Sequence, residues 1–335
     1  MNKEKKIKEK RKKAVPIWLG MIIFMIAFGA GAASKVLISP SWAKEYSVKW
    51  SDELGTRLVD LSYGEGEMNK FDLYLPADKS HENYGLVIYL HPGGFTSGDK
   101  SGDADMCSWL CSKGYVSAGI NYTLLAELEN GGTNGASVFT QSNEIKAAVP
   151  KVIEAAEEQG CHIDKMTIAG GSAGHALAMI YAYRDAVSAP VPVVFTFGAV
   201  GPSCFYREDW DNYGFDRETE EAYQGAAGIF GAMLGEPLSA EEIKDGSYIE
   251  KMKPISAAAW ITQDAPPTVV AYGTYDRVQP FKASIRLRTA LEDHKIDFRY
   301  FEASHSGHGL QNDHAIYKQY MEAVCEYLDK YMPIE

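Results

Sequence analysis

The body of this chain lacks a basic surface. Beyond residue 13, acidic side chains outnumber basic ones by 18, within a formal charge of −12 for the full 335 residues. Proteins that track nucleic acid gain most of their affinity from clustered Lys and Arg, so a nucleic-acid partner is excluded. Also missing are a phosphate-cradling Gly-x-x-x-x-Gly-Lys-Ser/Thr loop, a Gly-x-Gly-x-x-Gly dinucleotide turn and a His-Glu-x-x-His pair. Phosphoryl transfer, hydride transfer and zinc proteolysis therefore have no support, and no cofactor or metal is expected. Cysteine is scarce: the five residues, Cys107, Cys111, Cys161, Cys204 and Cys325, form no Cys-x-x-Cys pair and suggest no disulfide framework. They read as buried free thiols. With no repeat or low-complexity tract, and with 46% hydrophobic and 23% charged residues, the composition is that of a folded domain.

A single long uncharged run stands out. Residues 1–13 carry eight basic and two acidic side chains, and residues 14–34 (AVPIWLGMIIFMIAFGAGAAS) carry none. At about 1.5 Å per residue the run just crosses a hydrocarbon layer of roughly 30 Å. The basic flank is expected to stay in the cytoplasm, with everything after residue 34 on the far side. An uncleaved signal-anchor and a cleaved signal peptide share this beginning, because Ala30-Gly31-Ala32 offers small residues to a signal peptidase. The first outcome gives a single-pass membrane protein with an extracytoplasmic catalytic domain, the second a secreted one. Residues 35–59 read as a connector and 60–335 as one globular domain.

Within that domain, strand-length apolar runs alternate with helical patterns. Strands are expected at 71–75, 86–90, 115–122, 166–169, 193–197, 268–272 and 297–301, and helices at 104–113, 142–159, 176–184, 281–294 and about 313–331. This alternation predicts an α/β fold with a mainly parallel central sheet covered by helices on both faces, antiparallel only where the early strands precede any helix. Residues 202–263 break the rhythm with aromatic and acidic residues and then helical patterning. An excursion of that length near strand ends is expected to act as a lid, with Phe205, Tyr206 and Trp210 as lining candidates.

Chemistry concentrates in Gly170-Gly171-Ser172-Ala173-Gly174, where an apolar strand turns directly into a helix. This is Gly-x-Ser-x-Gly in the strand–turn–helix setting the motif requires, with glycines where side chains would collide across a tight turn. Ser172 is the candidate nucleophile. A serine hydroxyl needs a base to take its proton and a carboxylate to orient the base, and after such an elbow these follow in the order Asp/Glu, then His. Asp276 lies beyond the strand at 268–272, and His308 beyond the strand at 297–301. His305 competes with His308, which is preferred for its position before Gly309. Asp264 and Glu302 compete with Asp276, although Asp264 precedes its strand and falls at the wrong end of the sheet. The strand at 86–90 runs into His91-Pro92-Gly93-Gly94-Phe95, so the backbone N–H groups of Gly93 and Gly94, with that of Ala173, are the candidate oxyanion donors. Asp99, Asp103 and Asp105 read as a solvated loop with a helix cap rather than a cation site. Asn143-Glu144 is expected to satisfy backbone groups near the elbow.

Taken in order, HPGGF, GGSAG, YDRV and SGHG resemble the α/β-hydrolase superfamily, and within it the hormone-sensitive-lipase-like and feruloyl- or acetyl-esterase-like bacterial carboxylesterases. The resemblance covers roughly residues 60–333. It implies a Ser172–Asp276–His308 triad, an oxyanion hole from Gly93, Gly94 and Ala173, and hydrolysis of a small ester substrate, carbohydrate esters among them. Two departures are visible. Pro92 replaces the first glycine of the family's His-Gly-Gly-Gly loop, and the family's Ser-Ala-Gly-Gly-His run is shortened to Ser172-Ala173-Gly174-His175, which puts the usual first-turn packing in question. The alternatives are a serine peptidase of the prolyl-oligopeptidase type and a catalytically silent α/β-hydrolase acting as a surface binding module.

Overall fold

A computed structural model of the protein describes residues 43–126 and 134–334. The basic flank and the apolar run at 14–34 lie outside these residues. Among the described residues, no helix is long and apolar enough to cross a membrane. The chain divides after Glu45, and the unit Tyr46–Glu335 carries the architecture that follows.

Eight strands make one sheet: β1 (Gly55–Ser62), β2 (Lys70–Pro76), β3 (Tyr84–Leu90), β4 (Val116–Ile120), β5 (Ile163–Gly171), β6 (Val193–Ala199), β7 (Thr268–Gly273) and β8 (Phe298–Ala303), in the order β1-β2-β4-β3-β5-β6-β7-β8. The β1/β2 and β2/β4 pairs are antiparallel and all others parallel. Every residue of β4 and β7 is buried. Since successive side chains point to opposite faces, such strands need cover on both sides, which the alternating helices supply. Those helices are α1 (Ala104–Ser112), α2 (Val138–Glu158), α3 (Ala173–Ile180), α7 (Phe281–Asp293) and α8 (His314–Tyr331). The expected α/β-hydrolase architecture is present.

The boundary expected at residue 60 moves. β1 begins at Gly55, inside the stretch read as connector, and Trp50 already packs edge-on against Tyr74 of β2 at 5.5 Å. β1 carries no apolar alternation in the sequence because it is an edge strand with no fully buried residue. A bulge between Leu58 and Leu61 interrupts it, with Asp60 at φ 56°. Polar contacts hold it instead: Lys100 Nζ lies 2.7 Å from Asp60 and 3.0 Å from Asp72, and Arg57 lies 3.1 Å from Asp72.

Between β6 and β7 the excursion at 202–263 folds into α4 (Glu220–Leu234), α5 (Ala240–Asp245) and α6 (Tyr248–Met252). Thr219 caps α4 and the Ser239/Glu242 capping box opens α5. A segment without a strand has to build its own core, and the aromatic residues do so. Trp210 stacks on Phe205 at 5.7 Å and meets Phe230 edge-on at 5.3 Å. Phe205 and Trp210, expected to line a substrate site, are therefore fully enclosed within the insertion. Tyr206 is covered by the Arg286 guanidinium, 3.9 Å above its ring.

Candidate active site

Three loops at the C-terminal ends of parallel strands converge. The first leaves β5 at the serine. Ser172 sits at φ 51° and ψ −117°, outside the regions comfortable for a side chain, and conformations of this sort cost about 1–3 kcal/mol that the surroundings must supply. What enforces the turn is close backbone contact. A methyl group at Gly174 would lie 2.0 Å from the Leu90 carbonyl oxygen, and one at Gly170 would lie 2.5 Å from the Gly174 carbonyl carbon. The half-buried Ser172 hydroxyl thus projects at the start of α3, where unpaired N–H groups and the positive dipole end meet.

The second and third loops follow β7 and β8. Asp276 Oδ1 accepts the amides of Val278 (2.8 Å) and Gln279 (3.0 Å), which leaves Oδ2 directed at His308 Nδ1, 2.8 Å away. The other ring nitrogen, Nε2, is 2.8 Å from Ser172 Oγ. An ionised carboxylate only accepts, so Nδ1 carries the proton and Nε2 is free to receive one. The Asp276 carboxyl is completely buried, whereas the His308 ring is 27% exposed. The two loops are locked together, since Tyr275 N–H donates to Ser306 O (3.0 Å) and a methyl group on Gly273 would strike Gly307 O at 2.3 Å.

The rivals have other partners. His305 turns its Nδ1 to Asp313 (2.9 Å) and leaves its ring largely in solvent. Asp313 also accepts from Ser306 Oγ at 2.6 Å and so ties down the loop that delivers His308, a role that no spacing in the sequence announces. Glu302 receives Arg288 at 3.1 Å, and Asp264 is exposed ahead of β7.

On the other flank of β5, β3 feeds His91-Pro92-Gly93-Gly94-Phe95. Gly93 takes φ 141°, where a side chain would meet Ser97 O at 1.9 Å, and Gly94 takes φ 60°. Gly93 O accepts Ser97 N–H (3.0 Å) and Oγ–H (2.9 Å), while Phe95 O accepts Leu125 N–H and the Gln141 side chain, both at 2.9 Å. Among the described residues, no acceptor takes the amide hydrogens of Gly93, Gly94 or Ala173. His91 stacks on Tyr122 at 4.2 Å, and the Tyr122 hydroxyl donates to His91 O (2.8 Å). Burial pushes the His91 pKa down, so the ring stays neutral and braces the loop.

The shortened elbow finds its own packing. His175 Nδ1 accepts Gly201 N–H at 3.0 Å, and its ring fills space that a methyl group at Gly198 would invade at 2.3 Å. Complete burial drives its pKa down to about 3, making it a neutral wedge between α3 and the β6 exit. The acidic loop likewise resolves residue by residue. Asp99 caps Ser101 and receives Asn121, hydrogen bonds that outweigh burial and hold its pKa at about 2. Asp105 pairs with Lys49 at 2.8 Å. Asp103 has a buried oxygen without a partner, and burial raises its pKa to about 7. Glu144 accepts Thr123 N–H and Oγ–H, both at 2.6 Å, at the exit of β4 rather than at the elbow.

Residues 71–291, well over half of the chain, match the family model described as BD-FAE. A carbohydrate esterase from gut microbiota, solved in truncated form, superposes with a TM-score of 0.64 at 16% identity, covering 85% of this chain and 99% of that one. A thermophilic esterase from Thermogutta terrifontis gives 0.63 at 20% identity, covering 86% and 96%. In sequence, a kynurenine formamidase of Salmo salar is 29% identical over 150 residues, 44% of this chain and 47% of the relative, so the chain spans about half the length of that curated protein. The structural likenesses speak for the fold and the family match for descent: the chain belongs to the BD-FAE family and has the α/β-hydrolase fold.

Proposed function

We propose that the protein is a serine esterase that cleaves carboxylic esters through an acyl-enzyme. The observation that carries this reading is the continuous hydrogen-bonded line from Asp276 through His308 to Ser172, at 2.8 Å for each step. In the first half-reaction His308 Nε2 takes the Ser172 proton as Oγ attacks the ester carbonyl, and Asp276 keeps the ring in its productive tautomer. The amides of Gly93, Gly94 and Ala173 receive the oxyanion, each such donor being worth about 2.7–4 kcal/mol of barrier lowering. His308 then gives its proton to the departing alcohol. A water deprotonated by the same ring attacks the acyl-enzyme and releases the acid, which restores Ser172. A carbohydrate-linked ester is the substrate class that the carbohydrate esterase neighbour supports.

A fluorophosphonate probe should label wild-type protein at Ser172 and leave Ser172→Ala unlabelled. Equal labelling of both, or none in folded wild type, rejects the nucleophile. The formamidase similarity supports a second reading, hydrolysis of an N-formyl arylamine by the same residues. Side-by-side turnover of a formanilide and an acetyl ester separates the two. The apolar run at 14–34 supports placing the catalytic unit outside the cytoplasm, which protease accessibility in intact cells tests.

A further inference from the structure

Three large apolar side chains stand in solvent on one rim of the site. Tyr275 is 70% exposed, Val278 52% and Tyr213 41%, and these three lie together beside the triad. Tyr275 and Val278 flank Asp276 in the chain. The backbone of Tyr275 lies against Ser306-Gly307, immediately ahead of His308. Tyr213 comes from the insertion, but its hydroxyl donates to Val278 O at 2.9 Å and the neighbouring Asn212 side chain donates to Arg277 O. Its ring stacks on Phe215 at 5.6 Å. The Tyr213 hydroxyl is shifted upward by burial and by the Asp276 charge, which agrees with its placement beside the acid loop. Tyr213 and the backbone that carries Tyr275 and Val278 are thus held in place, and apolar side chains gathered at the edge of reactive groups mark a binding surface.

The direction of the reaction says which part of the substrate lies there. The carbonyl oxygen faces the glycine loop after β3, on one side of β5. The leaving alcohol has to reach His308 Nε2 to receive its proton, and β7 and β8, which carry this loop pair, lie on the other side of β5 in the sheet order. An open platform of two phenol rings and an isopropyl group gains little from a flexible chain whose rotors it must freeze. A rigid ring brings a flat apolar face at no such cost.

We propose that Tyr275, Val278 and Tyr213 form the leaving-alcohol subsite and select alcohols that present a ring with an apolar face. This rests on the esterase reading above and adds to it the side and the shape of the selectivity. The test holds the acyl group constant as acetyl and varies the alcohol, comparing kcat/KM for benzyl acetate with that for methyl acetate. A second series holds methanol constant and compares methyl benzoate with methyl acetate. In Tyr275→Ala the benzyl-to-methyl ratio should fall about fivefold, Tyr275→Phe should recover it, and the acyl series should keep its ratio. Because Tyr275 is mostly in solvent, its removal disturbs little packing, and Val278→Ser gives a second reading of the same ratio. The proposal is overturned if both variants keep the wild-type alcohol ratio, or if only the acyl ratio moves. It is overturned equally if the variants lose binding to phosphatidylcholine vesicles while the alcohol ratio stands, which would assign the patch to a lipid surface. Failure of wild type to hydrolyse any of these esters rejects the esterase reading itself, and the subsite with it.

Discussion

The turn at Ser172 and the insertion at 202–263 sit at the same end of one sheet, yet they are held by different forces. Around the serine, backbone meets backbone: Gly170, Gly174 and Gly201 are places where a single added methyl group would lie 2.0–2.6 Å from a backbone atom. In the insertion, side chain meets side chain. Rings of Phe205, Trp210, Phe215 and Phe230 make the core, and ion pairs such as Lys282–Asp211 at 2.6 Å and Arg286–Glu208 at 2.9 Å fasten it to α7. Charge is treated differently as well. Near the serine, burial holds His91 and His175 neutral, while charged groups of the insertion, such as Asp211 with Lys282, are paired at the surface. A tight backbone fixes atoms to within tenths of an ångström, which bond-making needs. Side-chain packing can be exchanged piece by piece, which suits a rim whose task is selection.

The comparison breaks most visibly at the base. His308→Ala should lower kcat/KM for methyl acetate by about 10⁴-fold or more, since members of such a unit fail together, while the melting temperature changes little because the ring is half-buried. His305→Ala, on a loop residue whose ring meets Asp313 and Ser304 but not Ser172, should retain activity within about tenfold. A result with the two reversed would move the base.

Next in size is Gly174→Ala. With the new methyl group 2.0 Å from Leu90 O, β3 and the elbow have to separate, and a loss of about 3 kcal/mol or more in urea unfolding is expected together with loss of activity. A variant of wild-type stability would show that the turn is less constrained than its contacts indicate.

How much of this the sequence disclosed follows the same division. Elements buried on both faces, such as β5 and β7, are legible because continuous apolar runs bounded by glycine have few other fates. The elbow is legible because the steric need for Gly170 and Gly174 is local. β1 is not, since an exposed, bulged edge strand held by Arg57, Asp72 and Lys100 has no periodic apolar signal. The pairing of Asp313 with Ser306 and His305 is equally hidden, being a contact that only the folded loop creates. The aromatic residues of the insertion were visible but ambiguous: Trp210 and Phe205 look alike as substrate lining or as core until their neighbours are known. Tyr275 stands inside the acid motif, and nothing in Tyr-Asp-Arg-Val tells a solvent-facing ring from a packed one.

Buried charge supplies the third contrast. Asp103 behind the glycine loop has its pKa raised to about 7 by burial, against about 4 in an unfolded chain. Between those values the folded protein holds a proton that the unfolded chain has released. This group's contribution to stability is therefore greatest below pH 4, declines as pH rises, and reaches its full penalty above pH 7. Asp103→Asn removes the penalty. Relative to wild type it should be more stable at pH 8 by something on the order of 2 kcal/mol, allowing for partial solvent access, with the gap closing by pH 4. The buried histidines act in the opposite sense below about pH 6.5, which is why the difference between variant and wild type, rather than either curve alone, is the quantity to measure. A constant gap across pH would contradict a neutral Asp103.

The smallest effect is the sharpest, because it repeats one chemical change in the other region. Gly228 lies on the exposed side of α4, and a methyl group there meets no atom within 4 Å. Inside a helix, glycine costs roughly 0.5–1 kcal/mol relative to alanine through the extra freedom it gives the unfolded chain. Gly228→Ala should therefore stabilise the protein by about that amount, with ester hydrolysis unchanged, where the same substitution at Gly174 destroys both. Opposite signs from one added methyl group would separate a glycine required by backbone contact from one merely tolerated on a helix. Destabilisation at Gly228 would mean that α4 closes against a further surface, and the insertion would then share the backbone constraint found at the serine.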